Sequence, residues 1–360
     1  MKFYLRFVPI LLTAAMACST GSRSKGDFRI ALTPARSGQN GIFTVNSDAT
    51  GGKLLTPDPG AKLRLASWSP DGKRIAFFTT RSQDAVILAA YRMPFHYLLY
   101  AMDVGGGSEK RLLDFPISDF EWSPDGRQLL YISSYEDPQH SDIDVLKGKK
   151  IPMSAIYVLN LQTGERRRLT SFGKNCSGSW SPDGSQLALS FGTEQISDIY
   201  MASIDGRHTR RLTDSKAVNI KPVWSPNGKL IVYLVTPTGA EGGDAGVYIM
   251  DPTGANKRRI SSMAASNAVW SPDGTLLLLQ SAAGLILTDM SGEKSANPIP
   301  RIDRPVDAQF TPDGREIVFR SDHEGKWHLY AVELKNWKMR RITGRLTAST
   351  YCLSPLRSRY

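Results

Sequence analysis

Apolar and polar positions along this chain alternate in short runs that end at a turn signal. In SWSPDGKRIAF, residues 67–77, Ile75 and Phe77 alternate with Arg74 and Ala76, the period of a strand with one buried face. The preceding Ser-Pro-Asp-Gly is turn chemistry: proline presets φ at the early turn position, and glycine accepts positive φ where the chain reverses. The cassette predicts a hairpin. It recurs as EWSPDGRQLLY at 121–131, SWSPDGSQLAL at 179–189, VWSPNGKLIVY at 223–233, VWSPDGTLLLL at 269–279 and QFTPDGREIVF at 309–319. Five of the seven tryptophans fill one slot, at 68, 122, 180, 224 and 270, with Phe310 in the sixth. A tryptophan repeated in this way packs an inner strand and is no catalytic group.

Each copy runs on into two further strands. In the third, LALS (187–190) is followed by DIYMASIDG (198–206) and RRLT (210–213); the second, fourth and sixth close on RRLT (167–170), RRIS (258–261) and RRIT (340–343). Four antiparallel strands in a unit of about 45 residues define a propeller blade. The ends supply one more. Phe28–Leu32, Ile42–Asn46 and Lys53–Thr56 read as strands two to four of a blade without its first strand, and TYCLSP at 350–355 reads as a first strand without continuation. Together they predict a three-plus-one closure that removes open sheet edges. Residues 28–355 divide into seven units of about 47 residues, whereas six would need nearly 55. The expected fold is therefore an all-β propeller of seven four-stranded blades, with six blades as the alternative, in a single domain at 28–355 followed by a short tail at 356–360.

The start of the chain has a different pattern. Lys2 and Arg6 precede the apolar stretch Phe7–Met16, and Ala15 and Ala17 stand before Cys18, which predicts a signal peptide at 1–17. The run is too short for a stable transmembrane helix, and no later segment approaches twenty apolar residues. Ala15-Met16-Ala17-Cys18 resembles a bacterial lipoprotein cleavage box. That resemblance implies lipid attachment at Cys18, a membrane anchor, and a flexible tether at 18–27. Ser19 carries no retention aspartate, so the resemblance implies the outer membrane. Cys176 and Cys352 fall in different repeats and are expected to be free.

The repeats resemble the WSPDG repeats of TolB-type propellers, a pattern shared with the propeller domains of prolyl-oligopeptidase-like peptidases. The resemblance covers nearly the whole mature chain and implies fold far more than function. TolB-type proteins carry an N-terminal α/β domain that this sequence lacks. The peptidases carry a G-x-S-x-G nucleophile elbow, and no such sequence occurs here.

The formal net charge of +11 raises nucleic acid as a partner. Its distribution argues otherwise, because the excess lies in the fourth-strand pieces Arg166–Arg168, Arg210, Arg211, Lys257–Arg259, Arg340 and Arg341, spread around the rim where basic side chains discourage edge pairing. Asp71, Asp125, Asp183, Asp273 and Asp313 read as turn residues and not as a calcium ring; Asn227 replaces them once.

Function is expected on the face carrying the variable second-to-third-strand connections, since the other face bears only the near-identical turns. The candidates are Tyr91, Phe95, His96 and Tyr97 in YRMPFHYL, and His140, Asp142, Asp144 and Lys149 in the long 133–150 connection, where Lys147 and Lys150 add charge. His323 joins them in SDHEGKWHLY. The expected role is a non-enzymatic periplasmic or cell-envelope module, monomeric and without a cofactor, whose variable face and central funnel hold a protein segment or glycan. The alternative is a metal-dependent lyase or hydrolase acting on acidic oligosaccharides, because oligogalacturonate lyases resemble this family and use histidines around a central metal. Of the five histidines, His96, His323 and His328 share the predicted face, His208 sits in a surface turn, and none occupies the inner-strand slot.

Overall fold

The structure is a computed structural model that describes residues 28–34, 41–48, 50–56, 62–80, 97–105, 109–134, 153–171, 173–238, 244–281, 284–293, 295–299, 302, 305–343 and 348–353. The regular elements among them are strands. The chain opens with β1 (Arg29–Pro34), β2 (Phe43–Asn46) and β3 (Lys53–Leu54). The first repeat supplies β4 (Lys62–Trp68), β5 (Arg74–Thr80), β6 (Leu98–Asp103) and β7 (Lys110–Arg111). The second gives β8 (Asp119–Trp122), β9 (Gln128–Ser133), β10 (Ala155–Asn160) and β11 (Arg166–Arg168). The third contains β12 (Lys174–Trp180), β13 (Gln186–Gly192), β14 (Ser197–Ser203) and β15 (Thr209–Arg211). The fourth contains β16 (Ala217–Trp224), β17 (Ile231–Pro237), β18 (Gly246–Met250) and β19 (Arg258–Ser261). The fifth holds β20 (Asn267–Trp270), β21 (Leu276–Ser281), β22 (Gly284–Asp289) and β23 (Ser295–Ala296), the sixth β24 (Val306–Phe310), β25 (Glu316–Ser321), β26 (His328–Glu333) and β27 (Met339–Arg341), and β28 (Ala348–Leu353) ends the series.

The expectation of seven separate four-stranded blades, or six, is corrected by the hydrogen bonding. Five blades are separate four-stranded sheets: those of the first, second, fifth and sixth repeats, and the one that combines the two chain ends. The third and fourth repeats form one continuous eight-stranded sheet. Its cause is local. Ser197 at the start of β14 bridges in parallel to Val218 of β16, and Asn219 Nδ2 donates to the Ser197 carbonyl at 3.0 Å, so the two halves share a backbone seam.

The ends close as the sequence implies. β28 pairs antiparallel with β1, Ile30 opposite Leu353 and Leu32 opposite Tyr351. The seam to the sixth repeat is then tied by side chains: the buried Tyr351 hydroxyl donates to the Asp307 and Val318 carbonyls, and Arg340 Nη1 donates to the Ser47 carbonyl at 3.1 Å.

Packing follows the cassette. The tryptophans at 68, 122, 180, 224 and 270, and Phe310, are each at most 8 % exposed. Each wedges against the unit before it: Trp122 joins Ala76 and Phe78 of the first repeat, and Trp180 joins Leu130 and Ile132 of the second. Two also bond across the gap, Trp122 Nε1 to the Ser67 carbonyl at 3.3 Å and Trp270 Nε1 to the Val223 carbonyl at 3.1 Å. Truncating such a ring to alanine typically costs about 3–5 kcal/mol.

The Arg-Arg-Leu-Thr pieces have divided labour. Leu212 and Ile342 point into the core while their arginine neighbours face outward. The following threonine is a buried clamp: the N–H of Ile156, Ile199 and Leu329 donates to Oγ1 of Thr170, Thr213 and Thr343 at 2.9–3.0 Å, and Ile42 does the same with Thr56. The rim arginines also join units. Arg210 donates to the Thr253 and Pro252 carbonyls of the next repeat, as Arg340 does to Ser47.

Candidate functional site

The six tight turns stack into a collar on one face. In each, the Ser or Thr Oγ donates to the Asp or Asn Oδ1 at 2.5–2.8 Å, and the N–H five residues on donates to that Oγ at 2.9 Å. The turn glycine holds φ of 66–71° at all six positions. Burial pushes the Asp71, Asp125 and Asp273 carboxyls up, but the turn hydroxyl and the backbone N–H two residues on outweigh it, so each lies below the usual aspartate value. At Asp183 the Ser181 hydroxyl is the leading cause of the same shift. In each turn one Asp or Asn oxygen is filled by the turn's own hydroxyl and backbone N–H, which fits turn residues.

A cavity of about 1050 Å³ opens on this same side between the sixth repeat and the closing blade, lined by Phe28, Asp48, Arg315, Glu316, Lys335 and Arg340 among others. Within it Arg340 pairs with Glu316 at 2.7 Å and Arg315 faces Asp313 at 3.9 Å.

The inner strands are different. The inner strands β4, β12, β16 and β24 each carry a register shift, and on three of them a residue other than glycine adopts left-handed backbone: Asn175 at φ 58°, Lys221 at 55° and Asp307 at 53°. Such conformations cost free energy and cluster where a fold aims a side chain. Lys221 and Asp307 stand three residues before the tryptophan slot. The same place in three other repeats holds Asp119, Ser177 and Asn267, so five polar residues share one position of the inner strands.

These groups are coupled around the ring. The Lys221 N–H donates to Ser177 Oγ of the preceding unit at 3.0 Å, and its Nζ donates to the Ser266 carbonyl of the following unit at 2.6 Å. Burial pushes Asp119 up to about 7, opposed by the Phe120 N–H and the Lys221 charge. Burial pulls Lys221 down to about 8, opposed by Asp119. The two lie on inner strands two units apart in the ring. Neither is fully covered by surface area, which fits groups enclosed by protein but reached by water. Asp307 is held by Arg320, whose Nε donates to Oδ2 at 2.8 Å and whose guanidinium lies 5.0 Å from the Trp327 ring centre. Asn267 is 9 % exposed, and its Oδ1 has no hydrogen-bond partner among the described residues. At the variable-face entrance Lys174 pairs with Glu194, and Asn175 Nδ2 donates to the Thr193 carbonyl at 2.7 Å.

Most residues expected at the site, Cys18, Tyr91, Phe95, His96, His140, Asp142, Asp144 and Lys149, together with Lys147 and Lys150, lie outside the described residues. Tyr97 packs at the edge of the core shared by the first and second repeats. His323 sits on the variable face, 4.8 Å from the Tyr330 ring and 3.7 Å from Glu324. His328 is buried, its Nδ1 3.2 Å from Thr343 Oγ1, and is part of the blade. Among the described residues no three His, Cys, Asp or Glu side chains come together as a metal site. The channel ring was missed in the sequence although its signal is simple: at the position three before the tryptophan the repeats diverge into Asp, Ser, Lys, Asn and Asp.

A closed ring of tryptophan-capped hairpins defines a β-propeller of the WSPDG type. The chain belongs to the TolB beta propeller domain family, which matches residues 96–297. Dipeptidyl-peptidase 5 of Porphyromonas gingivalis is 23 % identical over 343 residues, covering 84 % of this chain and 43 % of its own. The chain spans less than half the length of the curated relatives it matches. Among solved structures, an oligogalacturonate lyase in complex with manganese superposes with a TM-score of 0.61 at 20 % identity, over 83 % of this chain and 84 % of that one. TolB from Acinetobacter baumannii superposes at 0.52 and 19 % identity, over 91 % and 82 %. Identities this low establish a common fold.

Proposed function

We propose that this chain is a non-enzymatic binding or scaffold module of the bacterial cell envelope that holds a protein segment or glycan where the variable face meets the channel. The observation that carries the reading is the asymmetry of the two openings. The collar turns are near-identical and fill one Asp or Asn oxygen within each turn, whereas the inner strands carry left-handed residues at Asn175, Lys221 and Asp307 and a part-desolvated Lys221. Family membership and the leader-like first 17 residues support export to the periplasm. The cysteine after Ala15-Met16-Ala17 supports an outer-membrane lipid anchor at Cys18. Replacing Cys18 with serine should move the protein from the membrane fraction to the soluble periplasm; unchanged membrane association would overturn the anchor.

The second reading is a metal-dependent lyase or hydrolase acting on acidic oligosaccharides. It draws on His323, held on the variable face beside Glu324. The two readings separate on the purified mature protein: the binding module carries no stoichiometric metal and turns over no acidic oligosaccharide, while the enzyme loses its turnover on chelation.

A further inference from the structure

We propose that the outer corner of the sixth repeat, formed by Lys335, Trp337, Lys338 and Met339, seats on an anionic lipid surface and sets how the ring stands on the membrane. The inference rests on the reading that a lipid at Cys18 anchors the chain, and adds which part of the molecule meets the bilayer. The first observation is a tryptophan where the fold asks for glycine. The turn between the third and fourth strands carries a left-handed glycine in five other units, Gly51, Gly164, Gly206, Gly254 and Gly292, at φ of 65–79°. The sixth repeat closes this turn with Trp337 at φ 58°: its N–H donates to the Glu333 carbonyl at 2.9 Å, as that of Gly164 does to Asn160 at 2.8 Å. A bulky residue in left-handed backbone costs free energy that glycine avoids. Packing does not offset that cost, because Trp337 is 42 % exposed, and Met339 two residues on is 39 % exposed.

The second observation is charge. Lys335 and Lys338 stand exposed around the indole with no ion pair among the described residues, whereas Arg340 and Arg341 behind them are taken by Glu316 and Glu324. An indole between long cationic stems suits the headgroup region, where the ring lies at the interface and the ammonium groups reach phosphates. The third is where the chain enters the ring. Phe28 and Lys335 line one cavity, the Ser47 N–H donates to the Phe28 carbonyl at 3.1 Å, and the Leu334 N–H donates to the Arg315 carbonyl of the collar at 2.9 Å. Cys18 precedes Phe28 by ten residues, so an acyl group there holds this corner within about 35 Å of the bilayer, the most that ten extended residues span. Four side chains are too few for a stable protein interface, which takes about 800 Å² from each partner. They are also too few to hold the chain at a membrane alone, but they suffice to orient a body already tethered there.

The test is co-sedimentation of the mature Cys18→Ser chain with vesicles, so that binding is read without the acyl group and stands or fails apart from lipidation. Vesicles of equal parts phosphatidylglycerol and phosphatidylethanolamine should bind it about tenfold or more tightly than phosphatidylcholine vesicles. Lys335→Gln with Lys338→Gln should weaken that binding about tenfold or more; Arg127→Gln with Lys229→Gln, the same charge change elsewhere on the collar, should leave it within about twofold. Trp337→Gly should weaken it about fivefold or more and leave the melting temperature equal or higher, since glycine suits this backbone. In intact cells, a photo-reactive side chain at Lys338 of the anchored chain should give lipid adducts. No preference for the anionic vesicles, equal losses from the two double substitutions, or a clear fall in melting temperature for Trp337→Gly would overturn the patch. Protein adducts alone at Lys338, or none, would overturn lipid as its occupant. Membrane association unchanged by Cys18→Ser would instead overturn the anchor and leave the vesicle result standing.

Discussion

A single position in the turn shows how residue chemistry sets both shape and pH response. Asn227 makes the bonds its aspartate counterparts make, from Ser225 Oγ at 2.8 Å and from the Lys229 N–H at 3.0 Å, without a titrating group. Asp71, Asp125, Asp183 and Asp273 are held below the ordinary value of 3.8, so the stability they add is present above about pH 4 and lost as pH falls through their lower folded values. A variant with all four converted to asparagine should lose less melting temperature than the parent between pH 6 and pH 2.5. Parallel melting curves across that range would contradict the assignment. This scale was legible in the sequence, because Ser-Pro-Asp-Gly specifies its own hydrogen bonds within six residues. The positions of Asp119, Lys221, Asn267 and Asp307 were passed over, because the repeats share a place there but no residue type.

At the scale of elements, β28 and the eight-stranded sheet make the useful contrast. The pairing of β28 with β1 was readable because each end of the chain carries part of one blade pattern. The seam between β14 and β16 was not readable, since it hangs on Asn219 reaching back to the Ser197 carbonyl. Closure depends on Tyr351, whose hydroxyl serves two carbonyls of the sixth repeat from a fully buried position; burial and the Asp307 charge hold it protonated well beyond the ordinary tyrosine range. Tyr351→Phe removes both bonds and leaves the ring in place. We expect a loss of about 1–3 kcal/mol and faster amide exchange in β28 and β1 than in β20 and β21. Exchange that accelerates uniformly around the ring would contradict a local seam.

For the whole molecule, the excess positive charge turns out to be built into the ring. Arg210 and Arg340 stretch to carbonyls of the neighbouring unit, so part of the +11 charge serves assembly of the toroid as well as shielding of its outer edges. What remains is a molecule with two unlike faces, one a collar of near-identical turns and the other bearing second-to-third-strand connections such as 193–196. Site-specific photo-crosslinking in intact cells tests that difference most directly, with the reactive side chain at Gln195, exposed on the second-to-third-strand connection of the third repeat, or at Lys229, exposed on the collar. Adducts with an envelope component from Gln195 and none from Lys229 are predicted; adducts from Lys229 alone, or from neither position, would contradict the account.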